Sequence, residues 1–204
     1  RIMRHNETMA GKALRVLAFA YRPIDPQVEP KSGTAEQNMI YVGMAGMIDP
    51  PKRDVNQHIR EAYELGVQPV MITGDHPITA IAIAKQIGIY DENRKVVSGH
   101  ELDRMTDEEI EAVVEEVSIF ARVTPEHKLR IVRAFQRRGH TVAMTGDGVN
   151  DTPAIKQANV GIAMGRTGTE VTKETADIVL QEDSFSSIVD GVKEGRTIIG
   201  NIRK

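Results

Sequence analysis

Short apolar runs alternate with helical patterns along most of this 204-residue chain, from residue 40 to the end. Runs of strand length are predicted near 40–45, 68–73, 118–122, 141–145, 160–163 and 177–180. Helices are predicted near 53–65, 77–87, 106–116, 125–138, 151–157 and 184–203. Because strands that alternate with helices form a mostly parallel sheet with helices on both faces, this pattern restricts the fold to the α/β class.

The start of the chain does not share this alternation. A short helix is predicted around 9–14 and a strand over 16–21. Three prolines and a glycine then fall among the polar residues 22–39, which predicts a linker because proline fixes φ and removes a hydrogen-bond donor. The predicted parts are an N-terminal piece over 1–39, an α/β domain over 40–183 and a closing helix over 184–204. The apolar stripe of that helix has no terminator, so we expect a fragment of a longer protein.

Composition excludes several classes of protein. The net charge is −3, from 26 basic and 29 acidic residues, which argues against nucleic-acid binding driven by counterion release. The chain has no cysteine, which excludes disulfides, thiol catalysis and cysteine-ligated metals. Its six histidines lack metal-ligand spacing and are predicted to lie at the surface. No apolar run approaches the roughly 18 residues that a membrane-spanning helix needs.

Two predicted strands end in the same sequence corner. Residues 70–75 read V-M-I-T-G-D and residues 142–147 read V-A-M-T-G-D. Ligands bind open parallel sheets beyond the carboxyl ends of the strands, so both corners are predicted to lie on one edge. Glycine lets the backbone approach a ligand, and the hydroxyl and amide groups beside it can hold a phosphate. The alternative is a pair of tight turns whose aspartates cap the following helices.

The second corner continues as T-G-D-G-V-N-D over residues 145–151. Its two carboxylates, Asp147 and Asp151, lie four residues apart on a turn loosened by glycine, so both can face one hard cation. Magnesium takes one or two carboxylates together with water and phosphate oxygens, and this motif fits that preference. A dinucleotide-binding fingerprint is excluded because its sixth position is Asp151 rather than glycine or alanine, and no P-loop is present.

One basic residue is a candidate for phosphoryl chemistry. Lys128 falls near the start of the helix that follows the predicted strand 118–122. If it faces the strand ends, its charge can neutralise a transferring phosphoryl group. The alternative is a solvated lysine on a helix that also carries four arginines.

These motifs resemble those of the P-type ATPases, the cation pumps that share a haloacid-dehalogenase-like phosphorylation domain. The matching segments are 47–52 (M-I-D-P-P-K), 71–75, 120–128, 144–151 and 161–165 (G-I-A-M-G). The resemblance extends through essentially the whole chain and is closest to the type II calcium-pump branch. It implies ATP hydrolysis through an aspartyl phosphate, with Mg²⁺ and ATP as cofactors and Ca²⁺ as the expected transported cation. A sodium, potassium or proton pump is the alternative within the family.

The resemblance also implies roles around the magnesium and the phosphoryl group. Asp147 would hold the magnesium ion, with support from Asp151, and Asn150 would reach the phosphoryl oxygens. Thr73 and Gly74 would bind the phosphoryl group.

Further implied roles concern charge neutralisation and the nucleotide. Lys128 would neutralise the phosphoryl charge. Asp75 and Arg122 would meet the ribose region, and Arg15 the nucleotide phosphates. Asp49 would lie at the hinge between the nucleotide and phosphorylation domains.

The chain departs from the family pattern in two respects. Lys52 stands where the family usually has arginine, which loses bidentate hydrogen bonding. The family's phosphorylated aspartate lies in D-K-T-G-T, and that motif is absent, as are the nucleotide-domain lysine motif and the membrane helices. The resemblance therefore implies the end of a nucleotide-binding domain over 1–39, most of a phosphorylation domain over 40–183, and the start of a membrane-stalk helix over 184–204.

This interpretation sets the remaining expectations. The chain would be a soluble piece of the cytoplasmic portion of a membrane protein, inactive alone. Its partners would be ATP, the transported cation and the missing nucleotide, actuator and transmembrane domains. Two other interpretations stay open: a soluble phosphatase of the same fold, and a magnesium- or nucleotide-binding module without a nucleophile.

Overall fold

The structure, a computed structural model, describes residues 1–24, 36–48, 50–52 and 54–203. It divides into two compact units, Arg1–Pro50 and Pro51–Lys204. The division falls later than the predicted boundary between residues 39 and 40. Much of the predicted linker, residues 25–35, lies outside the described residues, and the assignment of segments to nucleotide-binding and phosphorylation domains stays a prediction.

The first unit consists of a helix and a two-stranded sheet. Its elements are α1 (Ile2–Ala10), β1 (Arg15–Tyr21) and β2 (Ile40–Met47). The strands pair antiparallel with Arg15 opposite Met47. The predicted strand 16–21 is confirmed, but the expectation that 40–45 begins the parallel sheet is wrong, because β2 pairs with β1.

The predicted helix at 9–14 is also wrong. The helix lies earlier and ends at Ala10, and the chain then turns with the amides of Lys12 and Ala13 bonded to the carbonyls of Met9 and Ala10. Ala13 has φ of +60°, which cannot continue a right-handed helix.

The second unit carries alternating helices and strands. Its elements in chain order are α2 (Val55–Glu64), β3 (Met71–Ile72), α3 (Pro77–Ile87), β4 (Lys95–Ser98), α4 (Gly99–Leu102), α5 (Asp107–Val113), β5 (Val117–Ala121), α6 (Pro125–Arg137), β6 (Ala143–Gly146), α7 (Thr152–Gln157), β7 (Val160–Met164), α8 (Glu170–Thr175), β8 (Ile178–Leu180) and α9 (Phe185–Ile202). Single 3₁₀ turns occupy Val114–Glu116 and Val149–Asp151. Among the described residues, no helix combines the length and apolar character needed to cross a bilayer.

The strand pairs described in this unit are parallel. The described strands form two three-stranded sheets, in the orders β3-β5-β4 and β6-β7-β8. The α/β class is confirmed, although the described hydrogen bonds form two separate three-stranded sheets where one sheet was expected. Ile72, at the end of β3, packs against buried residues of two core clusters, one around Phe120 and one around Met144.

Helix termini agree well with the local sequence signals. Thr106 and Glu109 form the predicted capping box at the start of α5. Gly66, Gly88 and Gly139 have positive φ after their helices, as expected of C-terminal glycines.

Candidate active site

The first Thr-Gly-Asp corner is joined to the segment that follows β5. The Val123 amide donates to the Thr73 carbonyl at 3.2 Å, and the Arg122 amide donates to the Asp75 carbonyl at 3.0 Å. Because β3 and β5 are adjacent parallel strands, these residues share the carboxyl edge of one sheet. The structure therefore brings together three of the predicted site residues, Thr73, Asp75 and Arg122.

Arg122 has an unusual backbone conformation. Its φ of +51° lies in the left-handed region, which costs a non-glycine residue on the order of 1–3 kcal/mol. Gly99, at the start of α4, packs against it so closely that a Cβ there would lie 2.1 Å from the Arg122 carbonyl oxygen. Such strain is concentrated at functional sites in proteins, which favours a role for this segment in binding.

The aspartates of the two corners do not cap helices. The Asp75 amide donates to the Thr73 hydroxyl at 3.1 Å, and the cap of α3 is instead His76, whose Nδ1 accepts from the Ile78 amide at 3.3 Å. The 3₁₀ turn after Asp147 begins without a side-chain cap. The two aspartates are therefore not explained as helix caps.

The second corner is a compact turn at the end of β6. Asp147 is exposed, whereas Asp151 is only 8% exposed. The Asp151 side chain lies on Gly146, where a Cβ would come within 2.5 Å of the Asp151 Cβ. The Thr169 amide donates to the Asp147 carbonyl at 2.9 Å, which fixes the turn to the start of α8.

Lys128 reaches this turn from α6. Its Nζ donates to Asp151 Oδ1, and the two side chains are 17% and 11% exposed. The pair joins residues 23 positions apart in the chain. Lys128 is therefore directed into the turn and is not a solvated lysine of the basic helix face. A charge this buried needs its partner, because removal of one member of a buried pair typically costs about 3–5 kcal/mol.

Three other predicted site residues are exposed, and a fourth lies outside the described residues. Gly74 and Asn150 are exposed, and the Asn150 side chain makes no hydrogen bond within the described residues. Arg15 is exposed on β1 in the first unit. Asp49 lies outside the described residues.

Sequence reasoning missed one buried residue beside this site. His127 is 5% exposed, so the expectation that all six histidines lie at the surface is wrong for it. Its Nδ1 accepts from the Thr124 amide at 3.2 Å, and the Thr124 hydroxyl accepts from the His127 amide at 3.4 Å. The signal was the three-residue spacing of a capping box, with histidine in the place of the usual glutamate.

A loop after β7 is held by a carboxylate from the segment between β8 and α9. Asp183 accepts from the amides of Arg166 and Thr167 at 3.0 and 2.9 Å. These hydrogen bonds, that of Arg166 first, lower the Asp183 pKa to about 2. Lys52, from the family-like segment 47–52, donates its Nζ to the Asp183 carbonyl.

The donor set of the second corner fits a magnesium ion. Within the part of the chain that the structure describes, no three histidine, aspartate or glutamate side chains form a metal-binding group. Magnesium needs fewer protein ligands, since it is usually held by one or two carboxylates plus water and phosphate oxygens. Asp151 Oδ2 faces two glycines, 146 and 148, where a Cβ would lie 2.8 and 3.9 Å from it. Asp147 adds an exposed carboxylate that makes no ion pair with the described residues.

Comparison with known proteins points to pumps much longer than this chain. A calcium-transporting ATPase of Bacillus subtilis (strain 168) is 51% identical over 203 residues, which cover 100% of this chain and 22% of that protein. Calcium-transporting ATPase 1 of Saccharomyces cerevisiae is 46% identical over 198 residues, 96% of this chain and 21% of that protein. The cation-transporting ATPase pma1 of Synechocystis sp. is 46% identical over 200 residues, 97% of this chain and 22% of that protein. The chain thus spans between 21% and 22% of the length of these curated relatives.

Family comparison agrees with the fold. Residues 3–159 match the family described as haloacid dehalogenase-like hydrolase, and residues 129–192 match a second family of the same description. The match spans both Thr-Gly-Asp corners and the Lys128–Asp151 pair. With its parallel sheets and its polar strand ends, this chain belongs to the haloacid dehalogenase-like hydrolases.

Proposed function

We propose that this chain is the catalytic portion of an ATP-driven cation pump that forms an aspartyl phosphate. The observation that carries the proposal is the Lys128–Asp151 pair, because it places a cation and a carboxylate together at a strand end, where phosphoryl transfer needs both. The identity to calcium-transporting ATPases over the whole chain supports it. The phosphorylated aspartate would belong to another part of the same protein.

In this proposal the turn at residues 145–151 is the cation-binding side of the site. Asp147 and Asp151 would hold magnesium, and Asn150 would contact the phosphoryl oxygens. When bound, the ion would supply Lewis-acid stabilisation of charge on the phosphoryl group. Gly146 contributes by leaving room for the Asp151 side chain.

Lys128 and the first corner form the phosphoryl-binding side. The Nζ of Lys128 would stabilise negative charge on the transferring group in a partly buried setting, where a fixed cation acts more strongly than in water. Thr73 and Gly74 would donate to phosphoryl oxygens from the end of β3. These roles rest on position, chemistry and the family resemblance.

The nucleotide would lie beyond the first corner. Asp75 and Arg122, joined through the backbone at 3.0 Å, would meet the ribose region. Arg15 would contact the nucleotide phosphates, and Asp49 would lie at the hinge between domains. Calcium is proposed as the transported ion because two of the three relatives described above are named as calcium-transporting ATPases.

The test is phosphorylation of the full-length protein that carries this chain. We expect Asp147→Ala to abolish magnesium-dependent incorporation of phosphate from ATP, because the site loses its exposed carboxylate. The wild-type protein should form the phosphoenzyme only when calcium is present, rather than sodium or potassium. Normal phosphoenzyme in Asp147→Ala would overturn the site, and dependence on another cation would overturn the choice of ion.

The 204-residue chain alone is the matched control. It lacks the D-K-T-G-T motif, so we expect it to show no steady ATP hydrolysis. Sustained magnesium-dependent hydrolysis by the purified chain would contradict the proposed mechanism and favour a phosphatase that uses another carboxylate.

A further inference from the structure

A buried histidine in the first turn of α6 connects this turn to the segment that follows α4. His127 lies one residue before Lys128, and its side chain is 6% exposed. Its Nε2 lies 2.8 Å from Oδ1 of Asp103, which follows α4 and is 63% exposed at its side chain. Two separate contacts therefore fix one ring, one to the start of its own helix and one to a different element.

The hydrogen bonds indicate which nitrogen of the neutral ring carries the proton. The Thr124 backbone amide can only donate, so Nδ1 of His127 must accept. A neutral imidazole then carries its proton on Nε2, which donates to the Asp103 carboxylate. The ring therefore acts as a fixed spacer between the α6 start and Asp103.

Gly99 completes the arrangement. A Cβ at this position would lie 3.1 Å from Nδ1 of His127 and 2.1 Å from the Arg122 carbonyl oxygen. Only a residue without a side chain allows the ring and the Arg122 backbone to approach α4 so closely. The Arg122 carbonyl and the His127 ring thus both lie against the segment that contains Gly99 and Asp103.

We propose that His127 is a positioning residue for Lys128, and that Asp103 acts through it. The first helical hydrogen bond of Lys128 runs from its amide to the Thr124 carbonyl at 3.2 Å, inside the turn that the histidine closes. The direction in which Lys128 leaves α6 is thereby tied to the ring. This inference rests on the role proposed above for Lys128, and it adds residues that do not touch the phosphoryl group.

The test is a double-mutant cycle in the full-length protein, with the rate of magnesium-dependent phosphoenzyme formation as the readout. A misplacement of a catalytic group by about 1 Å can cost on the order of 100-fold in rate. Because Lys128 stays paired with Asp151, we expect a smaller displacement of Lys128 in His127→Leu and a loss of roughly ten-fold. In a Lys128→Ala background, His127→Leu should cause no further loss, because residues that act through one another are not additive. His127→Gln keeps an acceptor for the Thr124 amide and a donor for Asp103, and should restore most of the rate.

Arg130 provides the matched control. It ties α6 to the same neighbouring segment, donating to the Leu102 and Met105 carbonyls at 2.9 and 2.6 Å, and makes no hydrogen bond to His127 among the described residues. We expect Arg130→Met to lower the thermal stability while leaving the phosphoenzyme rate near that of the wild type. An equal, non-additive loss of rate in Arg130→Met would mean general destabilisation and would overturn the inference.

Each outcome separates the inference from the proposed function. If Lys128→Ala does not lower the rate, the proposed function fails. If Lys128→Ala lowers the rate but His127→Leu is silent or fully additive with it, only the positioning role fails. If His127→Leu does not fold, Asp103→Ala replaces it, because truncating that exposed side chain leaves no cavity. Asp103→Ala should lower the phosphoenzyme rate in the wild-type background and cause no further loss in a Lys128→Ala background.

A measurement without activity completes the test. Nitrogen-15 NMR of the 204-residue chain should find that the neutral His127 ring carries its proton on Nε2 and not on Nδ1. A ring that carries its neutral-state proton on Nδ1 would contradict the hydrogen bonds described here and with them the inference.

Discussion

At the scale of single residues, the site depends on two glycines, because a Cβ at either position would collide with a neighbouring group. Gly146 lies under the Asp151 side chain, and Gly99 lies under the Arg122 carbonyl. The motif T-G-D-G-V-N-D identified the carboxylates from sequence, but it did not reveal which glycine contacts which side chain. The spacing from Thr124 indicated a capping role for His127 but not its burial, because no local pattern shows what packs over an imidazole ring.

The Gly146 contact leads to a stability prediction. In Gly146→Ala the new Cβ would lie 2.5 Å from the Asp151 Cβ, so that side chain must move and its pair with Lys128 must loosen. We expect a loss of about 1–3 kcal/mol in the free energy of unfolding, as for overpacked sites. Urea unfolding of the 204-residue chain measures it.

Gly191→Ala is the control for this prediction. A Cβ at Gly191 of α9 meets no atom within 4 Å, so this variant should be as stable as the wild type or slightly more stable. If Gly146→Ala unfolds at the same urea concentration as Gly191→Ala, the close contact has been misjudged.

At the scale of elements, local patterns predicted most helices and strands of the second unit. Helix α3 begins and ends as predicted, because its proline start and glycine end are both local signals. Strand β4 was missed, since only Val96 and Val97 are apolar in its four residues. Strand β2 was predicted to exist, but its antiparallel partner is set by a distant segment that no local pattern identifies.

The packing of α9 on α2 leads to a prediction about pH. Lys193 donates to Glu61 at 2.7 Å, and this hydrogen bond, with a smaller one from Gln57, lowers the Glu61 pKa to about 2. Because the folded pKa lies below the unfolded one, the pair stabilises the fold above about pH 4–5 and loses this effect as the pH falls towards 2. Lys193→Met should therefore lower the melting temperature at pH 7 and differ progressively less from the wild type towards pH 3.

Lys156→Met controls for the loss of one positive charge. Lys156 is exposed on α7 and makes no ion pair with the described residues, so its removal should change the melting temperature little at either pH. A difference between Lys193→Met and the wild type that stays constant from pH 7 to pH 3 would argue against a stabilising Glu61 carboxylate.

At the scale of the whole molecule, the core clusters found among the described residues belong to the second unit. The three core clusters and the side chains packed on them draw on residues 55–185. In the first unit, the buried apolar residues are Ala10 and Ala13, within the part that the structure describes. The prolines predict a boundary before residue 40, whereas the two compact units divide after β2, because β2 pairs with β1. The assignment of these parts to domains stays a prediction.

This distribution predicts how a truncated chain behaves. Residues 51–204 should unfold cooperatively by circular dichroism, with a melting temperature close to that of the full chain, because every core cluster is retained. Residues 51–183 should melt lower, since they lose Phe185 and the buried Val189 of α9. Non-cooperative melting of 51–204 would show that residues 1–50 are needed for the core to form.

The attachment of α9 also has a mechanical consequence. The helix is 18 residues long, about 27 Å at 1.5 Å per residue, and is fastened near its middle by Lys193 to Glu61 and by Arg196 to the Leu65 carbonyl. Its first residue, Phe185, packs into the core cluster that contains Ala121, the residue before Arg122. A force applied to the C-terminal end of α9 would therefore be transmitted through this core cluster to the end of β5, directly before the strained residue Arg122.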